Sequence, residues 1–219
     1  MRRSLLAALL GLAFLVATPA AQAVKPPPGP PAPFLKFWYL DGHTALKGGF
    51  TGPVGSDGDR KSINVDATTI NDPVPNPNAI YAVSFENWWG QSLVAVQQLK
   101  INTQEPLAGG SPRISVTLST TADGSSGWDA GTLFLDPNYC NSSNANGWRT
   151  SNWRGGANCT TWDDQGRSYA GNGVLSGWDV MLASGDHAGA FVYYAYIVQD
   201  QPIGDRVDRI TLDSLVFTK

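Results

Sequence analysis

The chain has 219 residues and carries 15 Lys and Arg against 18 Asp and Glu. An acidic balance with no basic cluster argues against nucleic acid and against anionic membrane surfaces as partners. Few Glu, Lys and Met beside many Gly, Thr, Ser, Asn, Val and Trp is a strand-and-turn composition, the reverse of what helices favour.

The first residues read as an export signal. Arg2 and Arg3 give a positive start, Leu5 to Val16 is an uncharged apolar run too short to span a bilayer comfortably, and Pro19 precedes the small-x-small pattern Ala21-Gln22-Ala23. Residues 1–23 are therefore expected to be a secretory signal peptide, with the mature chain starting near Val24. A membrane anchor is the competing reading, but no basic stop-transfer cluster follows. Arg2-Arg3 lacks the surroundings of a twin-arginine signal, and no Cys stands at the cleavage region to take a lipid. The expectation is a protein released to the outside of the cell with no membrane attachment. Residues 24–33, which include Lys25-Pro-Pro-Pro-Gly-Pro-Pro-Ala-Pro33, form a Pro-rich, extended linker. Residues 34–219 suit one domain with a real core rather than two.

From Phe34 onward short strands alternate with turn signals. Ile63 and Val65 alternate with Asn64 and Asp66. Asn71 to Asn78 holds three prolines, which deny donors to any ladder and make it a loop. Ile80–Phe85 and Leu93–Ile101 read as the next strands. In Arg113–Thr120, Ile114, Val116 and Leu118 point one way and Ser115, Thr117 and Ser119 the other, predicting one dry and one wet face. Thr132–Leu135 is a short strand. Val174–Ala183 is the one helical stretch, kept short by Gly177. Phe191–Gln199 is apolar or aromatic on both phases, as in a central strand covered on both faces, or covered on one and lined by Tyr on the other. In Arg209–Phe217 the apolar phase changes between Leu212 and Leu215, which predicts a bulge near Asp213-Ser214. This many short strands with almost no helix and no fixed repeat means an all-β sandwich or barrel.

Cys140 and Cys159 are the two cysteines, and an even count in an exported chain implies a disulfide. It closes a short loop, worth about 3 kcal/mol in the chain-entropy picture. A metal pair or an intermolecular bridge is the alternative, and two thiols without nearby His make a poor zinc site.

Catalytic signatures are sparse. The chain has only His43 and His187, no G-x-S-x-G elbow, and no H-E-x-x-H. His187, in Gly185-Asp-His-Ala-Gly189, reads as a surface turn residue. Calcium is more plausible than zinc, because Asp57, Asp59, Asp163, Asp164, Asp205 and Asp208 cluster in turns, although none has EF-hand spacing and turn Asp more often binds backbone amides. Glu86 and Glu105 are the only Glu residues. Glu86, in Ser84-Phe-Glu-Asn-Trp-Trp-Gly90, lies beside aromatics that could stack on a sugar and is the best candidate for a glycan-active hydrolase or lyase. The plain alternative is an exposed carboxylate at a strand end.

Tryptophan is in excess at eight residues: Trp38, Trp88, Trp89, Trp128, Trp148, Trp153, Trp162 and Trp178. Adjacent Trp88 and Trp89 must point to opposite faces of extended backbone. Trp148 and Trp153 lie between the cysteines in a stretch of Ser, Asn, Gly and Arg that reads as too polar to be buried. Exposed indoles beside Asn, Arg and Asp suit a pyranose, whose apolar face stacks while its hydroxyls take the polar groups. Trp88, Trp89, Trp148 and Trp153 are the carbohydrate-binding candidates. Alternatively these rings cap the sandwich ends or pin the loop to the domain.

In the C-terminal half, Gly147-Trp-Arg-Thr150, Cys159-Thr-Thr-Trp162, Leu175 to Trp178, Val192 to Asp200 and Asp208 to Val216 together resemble the jelly-roll β-sandwiches of galactose-binding-like and carbohydrate-binding modules. The resemblance spans roughly residues 130 to 217. It implies an antiparallel jelly-roll β-sandwich, an extracellular glycan as partner, and a structural calcium at Asp213. Three functions stay open: a secreted non-catalytic carbohydrate or cell-envelope polysaccharide binder, a small hydrolase or lyase using Glu86, and a structural or adhesive domain with no small ligand. Nothing in the sequence sets an oligomeric state.

Overall fold

A computed structural model of the chain describes residues 32–39, 63–64, 81–104, 107, 112–140, 147–154, 159–199 and 206–217. These belong to one compact unit, Pro31–Lys219. The signal segment, most of the Pro-rich linker, the loop at 71–78, His43, Asp57, Asp59, Glu105 and Asp205 lie outside the described residues.

In chain order the strands are β1 (Phe34–Tyr39), β2 (Ile63–Asn64), β3 (Tyr81–Glu86), β4 (Leu99–Gln104), β5 (Arg113–Ser119), β6 (Thr132–Leu135), β7 (Trp148–Arg154), β8 (Thr161–Asp163), β9 (Ser168–Tyr169), β10 (Phe191–Gln199), β11 (Arg206–Leu212) and β12 (Leu215–Phe217). A single described helix, α1 (Gly177–Ser184), lies between β9 and β10. It is not long and apolar enough to cross a membrane. The strands form two antiparallel sheets packed as a sandwich. The first runs β1-β3-β10-β5-β6-β8-β9, the second β12-β11-β4-β7, with β2 also pairing β11.

Between the sheets the inward phases meet. Ile114, Val116 and Leu118 of β5, Leu133 and Leu135 of β6, and Val192, Ala195 and Ile197 of β10 join Leu99, Ile101, Ile210 and Leu212 of the second sheet in one buried cluster. Removing this apolar surface from water is the main force holding the layers together.

The outward phase of β5 is not wet as expected: Ser115, Thr117 and Ser119 are also buried. The cause is their neighbours. Ser115 sits in register between Tyr196 and Phe134, and Thr117 between Tyr194 and Thr132. Small hydroxyl side chains are overshadowed by large cross-strand partners. Thr117 Oγ1 donates to the Tyr194 carbonyl at 2.9 Å, so burial leaves it satisfied. On β10 the aromatic phase is the outer one, with the Tyr194 and Tyr196 rings 5.6 Å apart.

Three other expectations shift. Leu93–Ile101 is not one strand, since Leu93–Ala95 forms a 3-10 turn before β4. Leu93, Val96 and Leu99 are buried at a three-residue spacing unlike a pleat, and only from Leu99 to Ile101 does the two-residue period of β4 take over. The phase change at Asp213-Ser214 is a two-residue hairpin between β11 and β12, not a bulge, with Asp213 left-handed at φ 53°. The irregularity of β11 falls earlier, between Asp208 and Thr211, where Arg209 has φ 47°.

The stretch read as an exposed polar loop contributes β7. Trp148, Ser151 and Trp153 are buried, while the outward polar side chains are engaged locally. Thr150 Oγ1 donates to Asn102 Oδ1 at 3.0 Å, Arg149 to the Pro137 carbonyl at 2.9 Å, and Arg154 pairs with Asp179. Polar composition concealed a strand whose burial alternates from Ser151 to Arg154. Cys140 and Cys159 are disulfide-bonded and face each other at the approach to β8.

Helix α1 starts at a capping box, in which Ser176 Oγ accepts from the Asp179 N–H at 3.1 Å and the Asp179 carboxylate reaches back to the Ser176 N–H. The helix is short, as expected, but starts at Gly177 rather than at Val174, and that glycine also lets it dock. A Cβ there would lie 2.4 Å from the Tyr169 carbonyl oxygen and 2.5 Å from that of Cys159. The approach buries Trp178, whose indole N–H donates to the Leu93 carbonyl at 3.3 Å.

Candidate functional site

The antiparallel registers bring the end of β3, the start of β10, the β5–β6 loop and the β8–β9 turn to one end of the first sheet. Two cavities open there, one on each flank of the β5–β6 loop.

The first is a groove of about 440 Å³ lined by Glu86, Asn87, Trp89, Asp123 and the three residues Val192, Tyr193 and Tyr194, among others. Asn87 leaves β3 with φ 62°, a left-handed conformation that Asn tolerates. Gly90 then packs so close to the Ala122 carbonyl that a Cβ would lie 2.5 Å from its oxygen. Between these two kinks Trp88 turns into the core at 3 % exposure and Trp89 turns out at 62 %. Opposite, the register of β10 shifts between Val192 and Tyr194, and the extra residue, Tyr193, is pushed into solvent at 40 % exposure. The Glu86 carboxylate accepts from Ser84 Oγ at 2.6 Å. Hydrogen bonds from the Ser125 side chain and backbone, then from Thr121, hold the Asp123 carboxyl below its ordinary range, so it is ionised at neutral pH.

The loop between the cavities is a ridge tied by its own side chains. Asp129 accepts from the Thr120 N–H at 2.9 Å, from Thr120 Oγ1 at 2.7 Å and from Ser126 Oγ at 2.9 Å. Those bonds, Thr120 foremost, also lower the Asp129 pKa.

The second cavity is a cleft of about 850 Å³ whose walls include Trp128, Asp129, Asp164, Arg167, Asp186 and His187. Trp128 is 71 % exposed. Behind the cleft lies a buried polar network centred on Asp163, whose side chain is fully buried. Its Oδ1 accepts the N–H groups of Gln165 and Arg167 at 3.0 and 2.9 Å, and its Oδ2 lies 2.6 Å from Arg167 Nε, 3.1 Å from the Tyr169 hydroxyl and 3.2 Å from His187 Nε2. Burial raises the Asp163 pKa, but hydrogen bonds from Arg167, His187 and Tyr169 overcome that and leave it lowered. Burial, then hydrogen bonds to Asp186 and Asp163, push the Tyr169 phenol well above its ordinary value. Arg167 also pairs with Asp186 at 2.7 Å. His187 is therefore a buried member of this network, 5 % exposed, and not the surface turn residue expected. Its turn folds back because Asp163 offers an acceptor the sequence does not reveal.

Of the four tryptophans singled out from the sequence, only Trp89 presents its ring to solvent. Trp88, Trp148 and Trp153 are buried at 3, 5 and 0 % and belong to the domain's packing. Glu86 lines the Trp89 groove. Asp213 lies on the β11–β12 hairpin, and its Oδ1 accepts from the Gln97 and Gln98 N–H groups at 2.6 and 3.3 Å. It is thus committed to backbone amides, and no group of three or more His, Cys, Asp or Glu among the described residues could hold a metal. Sequence reasoning missed Trp128, Tyr193, Asp123 and the Asp163 network. Trp128 had a legible signal: it stands in Asp123-Gly-Ser-Ser-Gly-Trp-Asp129, with no apolar neighbour to be buried with.

Compared with protein-family models, curated proteins and solved structures, the chain matches none.

Proposed function

We propose that this domain is a carbohydrate-binding protein that works outside the cell, and that its primary contact is the groove holding Trp89. The observation that carries the reading is an indole 62 % in water, lining one groove with a solvent-exposed Tyr193 and with Glu86, Asn87 and Asp123. A flat apolar surface ringed by hydrogen-bonding groups matches the two chemical faces of a pyranose. The extracellular location follows from the export signal read in residues 1–23 and agrees with a Cys140–Cys159 bridge, which persists in oxidising surroundings.

The test is retention of the purified protein on insoluble glucan, chitin, xylan and peptidoglycan. Binding to one of them that falls about thirtyfold or more in Trp89→Ala, the loss typical of a central aromatic anchor, supports the reading. Absence of retention on every polymer leaves a structural or adhesive domain instead.

A second reading is favoured by one observation: Glu86 and the ionised Asp123 line the same groove. Two carboxylates on opposite sides of a bound glycoside are the minimum for its hydrolysis. New reducing ends or unsaturated products that disappear in Glu86→Gln would establish it, and activity unchanged in that variant would eliminate it.

A further inference from the structure

We infer that the loop end takes an extended glycan chain free of anionic groups, which crosses the β5–β6 ridge from the Trp89 groove to a second platform at Trp128. This rests on the carbohydrate reading above and names the class of ligand.

Three observations converge. Trp128 and Trp89 are the two most exposed of the described tryptophans, at 71 and 62 %, whereas Trp88, Trp148, Trp153 and Trp178 are all buried. The two exposed rings stand on cavities at opposite flanks of one loop, which supplies Asp123 and Gly124 to the groove and Thr120, Trp128 and Asp129 to the cleft. At about 440 and 850 Å³ each cavity has the volume of a small-ligand site, more than one sugar unit occupies, which suits a chain of several units.

The ridge itself is suited to being crossed. Asp129 ties Thr120 to Ser126, and Ser119 and Ser126 Oγ lie 2.8 Å apart, so the loop is held by its own hydrogen bonds. Its outer surface is hydroxyl-bearing and offers partners to sugar hydroxyls without an ordering cost at binding.

Charge sets the ligand class. Glu86 and Asp123 stand in the groove and Asp129, Asp164 and Asp186 in the cleft, against one guanidinium among the described residues that line them, Arg167. That guanidinium is already paired with Asp163 and Asp186. A uronate or sulfated chain would meet the carboxylates of Glu86, Asp123, Asp129 and Asp164, which Arg167 does not offset, whereas a neutral or amino-bearing chain would meet no such repulsion.

Titration calorimetry of the full chain with gluco-, xylo- and chito-oligosaccharides from disaccharide to hexasaccharide decides the matter, with polygalacturonate as the anionic probe. Affinity for the series that binds is expected to rise by at least about tenfold from the shortest to the longest member, as for two linked contacts. Trp128→Ala, a solvent-exposed position, should fold normally by circular dichroism, keep disaccharide affinity within about twofold and abolish the rise with length. Trp89→Ala should weaken every length. Length dependence that survives Trp128→Ala, or polygalacturonate bound as tightly as the neutral chains, overturns the inference while leaving a single-groove sugar binder intact. Failure of every oligosaccharide to bind removes both readings.

Discussion

Trp88 and Trp89 are consecutive residues with opposite environments: the Trp88 ring lies edge-on to Phe85 at 5.9 Å within the core, and the Trp89 ring stands over an open groove. Substitution separates the two roles. Trp88→Ala should cost about 3–5 kcal/mol in urea unfolding through lost packing. Trp89→Ala should stay within about 0.5 kcal/mol of the parent and lose glycan retention.

The network around Asp163 predicts a loss of stability in acid. Its carboxyl titrates below the ordinary 3.8 in the folded state, so its contribution is complete above that value and fades as pH falls through the lowered one. Asp163→Asn should be less stable by about 3 kcal/mol at neutral pH, because Arg167 and His187 lose a buried partner. Thermal unfolding followed from pH 7 to pH 2 should show the gap between parent and variant narrowing below about pH 4.

Gly177→Ala should be among the most damaging single-methyl additions in the domain. The new Cβ would lie 2.4 to 2.7 Å from three backbone atoms, of Tyr169, Cys159 and Thr161, none of which can rotate aside. Overpacking of this kind costs about 3 kcal/mol. Urea unfolding is the measurement, with Gly173→Ala as a contrast, since a Cβ there meets no atom and only its positive φ resists.

Asp213, at the tip of the β11–β12 hairpin, ties that turn to the segment just before β4 through the Gln97 and Gln98 amides. Asp213→Ala should cost about 1 kcal/mol, mainly from the left-handed turn conformation that Ala tolerates poorly, since the freed Gln97 and Gln98 amides are exposed to water. The melting temperatures of parent and variant should differ by the same amount in calcium and in EDTA. A difference that collapses in EDTA would instead assign the residue to a metal.

The sandwich was legible because its signals are local. Alternation in β5 and the apolar run of β10 state their strands outright, and a paired cysteine count states the bridge. The misreadings share one cause: each judged a side chain by its chemical type where a distant neighbour decides its environment. Ser115 is buried because Phe134 and Tyr196 flank it, His187 because Asp163 awaits it, and Trp153 because the polar stretch that carries it pairs with β4 as a strand of the second sheet. The Trp89 groove was half legible. Glu86 and Trp89 are near each other in sequence, but Asp123 and Tyr193 reach them only through the pairing of β10 with β3 and β5.

The extra residue in β10 divides that strand into two independent parts. Beyond it, Ala195 and Ile197 keep their stations against Val116 and Ile114 whatever happens upstream. Before it, Val192 is still held against Leu118 in the core and His187 against Asp163, so within this stretch Tyr193 is the residue that can be exchanged without disturbing a buried partner. Recognition at this end can thus be retuned at the single bulged position while the paired residues on either side of it go on packing as before.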